Sequence, residues 1–264
     1  MNKSINDLRI LHILSCVKWN GNTFNANADA NWKVALKTIM FLPNAHHYIL
    51  CPLNHTIQLD QKNVTLIPYD YPKSVQLNRA MFDYRSIRFN FKRIDVDYVF
   101  NHQPELTYNI QQWFSTNRYF DSPKYFSFYH WIDCNKSRGS VGSTPSFYMR
   151  QLEAMHISSA NFVHSDLSLD YLHNNFINRR RNIDVSTLLK DTYYMPLSSK
   201  IEVAPTSFPL PSKKILLFNH RWTNSSGILK FEEYIKDLSD EYLVWITDEN
   251  CDLKGENIYI KSLK

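Results

Sequence analysis

Three apolar runs in this chain each end in residues able to hold an anion or move a proton. The first is Ile215-Leu216-Leu217-Phe218, followed by Asn219-His220-Arg221-Trp222, then Gly227 and the amphipathic stretch Ile228–Leu238. It reads as a buried strand, a polar loop and a helix. The loop puts a guanidinium at a strand's carboxyl end, beside a helix N-terminus that favours negative charge. Arginine's planar fork gives a phosphate two hydrogen bonds at once. The competing reading of Arg221 is a surface arginine packed on Trp222. The second run, Tyr125–Tyr129, ends in His130-Trp131-Ile132-Asp133. Imidazole there can take or give a proton, or donate to a sugar hydroxyl or a phosphate. Asp133 can orient that ring or accept a proton from an acceptor hydroxyl. The alternative is a half-buried histidine bonded to backbone, with Asp133 capping the next turn. The third run ends in Val163-His164-Ser165-Asp166. Ser165 or Asp166 would cap a helix near Leu167, and either can do so while facing a cleft.

A fourth candidate is the loop Lys18-Trp19-Asn20-Gly21-Asn22-Thr23, after the first strand. It lacks GxGxxG, so a dinucleotide site has little support, and a solvated loop competes with Trp19 and Asn20 as cleft residues. Basic surface is the fifth. On a helix over Ser74–Arg93, residues Arg85, Arg88 and Lys92 form one stripe by i, i+3, i+7 spacing, with Phe82 and Phe89 beside it. Leu77, Met81, Tyr84 and Phe91 would make the buried face. Arg179-Arg180-Arg181 adds a second cluster. Such cations neutralise phosphates, and exposed aromatic rings stack on displaced bases; a plain solvated helix face is the alternative. No Ser-His-Asp order, HExxH pair, P-loop or carboxylate cluster appears, so hydrolase and metalloenzyme chemistry have no specific support.

The elements that would position these residues alternate. Strands are expected at Arg9–Ser15, Tyr48–Cys51, Val64–Ile67, Asp97–Phe100, Tyr125–Tyr129 and Asn161–His164. Helices are expected near Ala28–Phe41, over Ser74–Arg93, Pro104–Phe114 and Ser146–Ile157 with Pro145 at its start, and over Leu167–Phe176. The alternation predicts an α/β protein built on a mostly parallel sheet. Four prolines within Pro196–Pro211 read as a linker. Residues 1–200 would form one Rossmann-like domain. Residues 201–264 would hold the linker and the start of a second, with strands at Ile215–Phe218, Tyr242–Thr247 and Asn257–Lys261. Three strands leave a doubly wound sheet incomplete, so a fragment of a longer chain, an unusually small second domain or completion by another polypeptide is expected.

The totals set broad bounds. The 264 residues are 44% hydrophobic and 21% charged, the composition of a globular protein of one large or two modest domains. A net charge of +5 admits an anionic partner without requiring one. Cys16, Cys51, Cys134 and Cys251 form no CxxC pair, which argues against a zinc site and a disulfide framework. No signal-peptide pattern and no 18-residue apolar span are present, which predicts a soluble cytoplasmic protein with no membrane partner.

Tyr129-His130, Val163-His164-Ser165-Asp166 and Asn219-His220-Arg221-Trp222 with Gly227 together carry a resemblance. The chain resembles glycosyltransferases of the two-Rossmann (GT-B) type, above all the bacteriophage DNA glucosyltransferases that act on hydroxymethylcytosine, and also the queuosine-tRNA mannosyltransferases. The resemblance implies a metal-independent nucleotide-sugar transferase in the host cytoplasm, with UDP- or GDP-sugar as co-substrate and no permanently bound cofactor. It implies a donor site in the second domain made by Arg221 with His220, Ser226, Gly227 and Lys230. His130 would lie at the reacting sugar, with Asp133, and the favoured acceptor would be a hydroxymethylated base in duplex DNA. A tRNA, glycan or small-molecule acceptor, or a non-catalytic nucleic-acid-binding role, are the alternatives. Two departures stand out. Ser226 occupies the place of a family lysine, with Lys230 as its substitute, and Asp133 is displaced from the histidine by Trp131 and Ile132.

Overall fold

The computed structural model describes residues 4–16, 18–71, 80–87, 96–116, 123–130, 145–164, 191–195, 212–218, 228–247 and 251–260. The chain divides into two compact units, Met1–Ser198 and Ser199–Lys264.

The first unit is built on seven parallel strands. They are β1 (Arg9–Ile13), β4 (His46–Pro52), β5 (Val64–Tyr69), β6 (Tyr98–Asn101), β7 (Lys124–Tyr129), β8 (Ala160–Val163) and β9 (Thr192–Tyr194), in the order β5-β4-β1-β6-β7-β8-β9. A short antiparallel hairpin, β2 (Trp19–Asn20) and β3 (Thr23–Phe24), follows β1. Parallel strands are covered on both faces, which is why they read as unbroken apolar runs. Helix α1 (Ala30–Phe41) packs Val34 against Ile10, Phe100 and Phe128 on one face. Helix α2 (Thr107–Thr116) packs Ile110, Trp113 and Phe114 against Leu11, Ile13, Val99 and Tyr125 on the other. Helix α3 (Pro145–Ile157) precedes β8. The chain runs outward from β1 to β5, then returns to β6 at β1's other side. That reversal makes a switch point at the carboxyl ends of β1 and β6, where open sheets of this kind hold ligands.

Asp29 begins α1. Its buried carboxylate accepts hydrogen bonds from the amides of Asn31 and Trp32 at 2.9 and 3.1 Å. The cap thereby fills this helix's anion position with the protein's own charge. Asp29→Ala is expected to cost about 1–2 kcal/mol, read as a lower urea midpoint with unchanged slope.

The helix expected over Ser74–Arg93 does not extend through Arg85. Ala80 is helical, Met81–Asp83 are not, and Tyr84–Ser86 form a single 3-10 turn. Side chains compete with the helix here. Asp83 accepts from the Arg85 amide, and Ser86 donates to the Asp83 carbonyl while accepting from the Asp70 amide. Phe82 then wedges between Tyr69 and Trp113, with ring centroids 5.4 and 5.6 Å away. Met81 and Tyr84, expected in the core, are 50% and 42% exposed instead. Arg85 is exposed on the turn, so the helical stripe argument fails at its first member. Arg88, Lys92 and Arg179–Arg181 lie outside the described residues.

The second unit holds a parallel sheet, β10 (Lys214–Phe218), β11 (Tyr242–Ile246) and β12 (Ile258–Ile260), in that order. Helix α4 (Ile228–Lys236) follows β10 and packs Phe231 on Phe218, ring centroids 4.5 Å apart. Leu217, Trp245 and Tyr259 on the opposite face are exposed. Among the described residues, no helix is long and apolar enough to cross a membrane.

Candidate active site

Three neighbouring strands, β6, β7 and β8, each deliver a histidine at the first position past their carboxyl ends: His102, His130 and His164. Pleating puts residues two apart on one face, so His102 follows Phe100, and His130 follows Phe128. On the same face, β1 contributes His12 and β4 contributes His47. The rings of His47, His12, His102 and His130 form a row across four adjacent strands. Centroids are 5.3 Å apart for His47–His12, 6.1 Å for His12–His102 and 6.0 Å for His102–His130. His164 Nδ1 lies 3.4 Å from the Tyr129 carbonyl, one residue from His130.

The hydrogen bonds fix tautomers at one end. The Leu42 carbonyl only accepts, so His47 donates from Nε2, at 2.9 Å. Neutral His47 therefore bares Nδ1, and His12 Nε2 donates to it at 3.0 Å. His12 Nδ1 is left as a lone-pair acceptor. Burial is the main cause that keeps these rings neutral. It lowers His12 to about 3, helped by His47, and His130 to about 3, helped by His164. His102 is pushed well below its ordinary value by burial, then by His130 and His12. His47 is lowered less, by burial, against the Leu42 hydrogen bond.

Polar groups continue around the switch point. Asn31 on α1 donates from Nδ2 to Ser15 Oγ, just past β1. Cys16 sits next to it at φ 44°, a region uncommon for a residue with a side chain, and Trp19 Nε1 donates to its carbonyl at 2.7 Å. Beneath His102, buried Glu105 accepts from the side-chain amides of Gln103 and Gln151 at 3.0 and 2.9 Å, which clamps the end of β6 to α3.

The placement of the expected site residues is mixed. His130 is in the row. Trp19 packs on Phe24, and its indole donates to the Cys16 carbonyl. Asn20 is exposed at the hairpin tip. Lys230 stands exposed in the first turn of α4. Asp133, Ser165, Asp166, His220, Arg221, Ser226 and Gly227, and the helix expected over Leu167–Phe176, lie outside the described residues. Sequence reasoning missed His102, His12, His47 and Asn31. The repeated signal of a histidine just past a strand was available for His102, but Asn101-His102-Gln103-Pro104 also reads as a polar helix start. Among the described residues, no group of three His, Cys, Asp or Glu side chains is arranged to hold a metal.

No protein-family profile matches the chain, and no curated protein does. Solved structures do. Arabidopsis thaliana UGT89C1 complexed with UDP aligns at 12% identity and TM-score 0.53, over 97% of this chain and 71% of that one. The fold class is that of GT-B glycosyltransferases. Medicago truncatula UGT71G1 complexed with UDP-glucose aligns at 8% identity and TM-score 0.48, over 97% of this chain and 68% of its own. The wall teichoic acid polymerase TagF aligns at 12% identity and TM-score 0.42, and this chain spans 60% of its length against 97% of its own. Of the row, His102 and His130 lie past the carboxyl ends of β6 and β7, whereas His12 is inside β1 and His47 stands near the amino end of β4.

Proposed function

We propose that this chain transfers a sugar from a UDP- or GDP-linked donor to a hydroxyl group. The observation that carries the reading is the adjacent pair of buried, neutral imidazoles His102 and His130, past the carboxyl ends of β6 and β7 in a seven-stranded parallel sheet. His130 takes the proton of the acceptor hydroxyl as that oxygen bonds to the anomeric carbon. The bond from this carbon to the diphosphate oxygen breaks, and its electron pair departs with the nucleoside diphosphate. Arg221 holds the diphosphate, with His220, Ser226, Gly227 and Lys230 as the surrounding set. His130 is already neutral, with one basic ring nitrogen, and the negative charge of a bound donor favours the imidazolium that forms. Asp133, three residues on, is proposed to orient the ring. No metal is needed where a guanidinium balances the leaving charge.

A hydroxymethylated DNA base is the finer reading of the acceptor. With Arg85 off a helical stripe, it would draw on Arg88, Lys92 and Arg179–Arg181. The full chain incubated with UDP-glucose or GDP-mannose, and with hydroxymethylated duplex or free polyols, tests the function by mass spectrometry. A hexose added to any acceptor supports it; unconsumed donor in every combination contradicts it. Arg221→Ala is expected to weaken donor binding roughly ten- to a hundredfold, measured by calorimetry, which is the loss of one bidentate charged contact.

A further inference from the structure

Buried polar atoms in folded proteins nearly always have partners, and this molecule has a concentrated exception. His102 is 2% exposed, and among the described residues neither of its ring nitrogens has a hydrogen-bond partner. His12 Nδ1 and Asn31 Oδ1 are also buried and unpartnered. The three residues stand on neighbouring elements at the switch point. The His102 amide donates to the Ile13 carbonyl of β1 at 2.8 Å, and its ring stacks on His12. Asn31 lies one helical turn before Val34, which packs with Phe100 and Phe128. That puts Asn31 toward the carboxyl ends, past those two rings, where His102 follows.

Apart from the His12 and His130 rings, the rings around His102 are apolar. Phe100 meets it edge-on at 4.7 Å, and Phe128 lies 6.2 Å away. A phenyl ring would fill this place without leaving two nitrogens unsatisfied, so the imidazole is held at a cost to stability. Such costs collect where a protein binds ligands. The hydrogen-bonding pattern specifies the ligand. His12 Nδ1 and Asn31 Oδ1 both accept, and neutral His102 accepts at one nitrogen and donates at the other. Acceptors outnumber donors and none is charged. The complementary group is neutral and rich in hydroxyls.

We propose that His102, Asn31 and His12 form a subsite for a neutral polyol, the hydroxyl-bearing acceptor of the transfer. The assignment rests on the glycosyl-transfer reading above. It places the contact deeper in the sheet than His130, under the N-terminus of α1.

The test uses the full chain with 15N-labelled histidine and two probes, ribitol and D-glucose. Either probe at high concentration is expected to move both ring-nitrogen resonances of His102, as one nitrogen gains an acceptor and the other a donor. Those of His46, exposed at the start of β4, are expected to stay in place. His102→Phe is expected to abolish ribitol and glucose binding while raising the melting temperature by roughly 3 °C, because an unsatisfied group is removed. Unmoved His102 resonances in the wild-type chain overturn the proposal. So does a lower melting temperature of His102→Phe, the result for a histidine kept for packing. UDP-glucose binding, read on the wild-type sample alone, is a separate arm: its absence counts against the transferase reading, and its presence beside unmoved His102 resonances defeats only the subsite.

Discussion

Lowering the pH from 7 to 5 is expected to remove most of the stability of the first unit. His12, His102 and His130 are neutral in the fold because burial penalises their charged forms, and the first and last are lowered to about 3. In the unfolded chain each titrates near 6.5. A group with a lowered folded value binds more protons when unfolded, so its contribution is fully present above about pH 6.5. It is lost as the pH falls toward about 3. Each pH unit below 6.5 costs about 1.4 kcal/mol per such histidine, or roughly 2 kcal/mol each by pH 5. Three rings together approach the roughly 5–15 kcal/mol that stabilises a whole domain. Far-UV circular dichroism across pH 7 to 4 should show cooperative unfolding, with a midpoint near 5. His102→Phe, which removes one titrating ring, should shift that midpoint to lower pH. A chain that stays folded to pH 4 would mean that these rings are solvated or paired in a way the geometry does not contain.

His130→Ala is expected to lower kcat roughly 10²- to 10⁴-fold while leaving the KM for the nucleotide-sugar within about twofold. The asymmetry follows from its assigned task. A group that accepts the acceptor's proton acts in the transition state, whereas the donor is held by Arg221. The substitution leaves the strand intact, since His130 lies past the end of β7. It also removes a ring packed edge-on against Phe128 at 4.5 Å, so a modest fall in melting temperature accompanies the kinetic loss. Steady-state kinetics at several donor concentrations separates the two constants. A rise in KM with kcat preserved would assign His130 to binding rather than to proton transfer.

Strand positions were legible in the sequence because parallel strands are buried on both faces. Ile10-Leu11 in β1 and Ile49-Leu50 in β4 needed no partner information to be recognised; Ile215–Phe218, expected as a buried strand, does form β10, but with Ile215 and Leu217 exposed. Helix α1 was legible from its spacing, and α3 from Pro145, which is allowed at a helix start. Edge strand β9 is three residues long and gives no periodic signal. The segment around Phe82 misled for a physical reason. Its apolar residues have helical spacing, yet the pocket between Tyr69 and Trp113 accepts one ring, and Asp83 and Ser86 supply turn hydrogen bonds. The candidate site was half legible. His130 was marked by its place after a strand. His12 and His47, inside strands, looked like ordinary core positions, and their alignment emerges only from the pairing that sets Ile10 beside both His47 and Tyr98.

The central claim is that this chain binds a nucleotide-sugar. Thermal denaturation of the full chain in increasing UDP-glucose, UDP-galactose or GDP-mannose tests it most directly, because a ligand of the native state adds RT ln(1 + [L]/Kd) to stability. One of the three is expected to raise the melting temperature progressively with concentration, with the effect lost in Arg221→Ala. A melting temperature unmoved by all three at millimolar concentration, or a rise that Arg221→Ala leaves unchanged, would contradict the account.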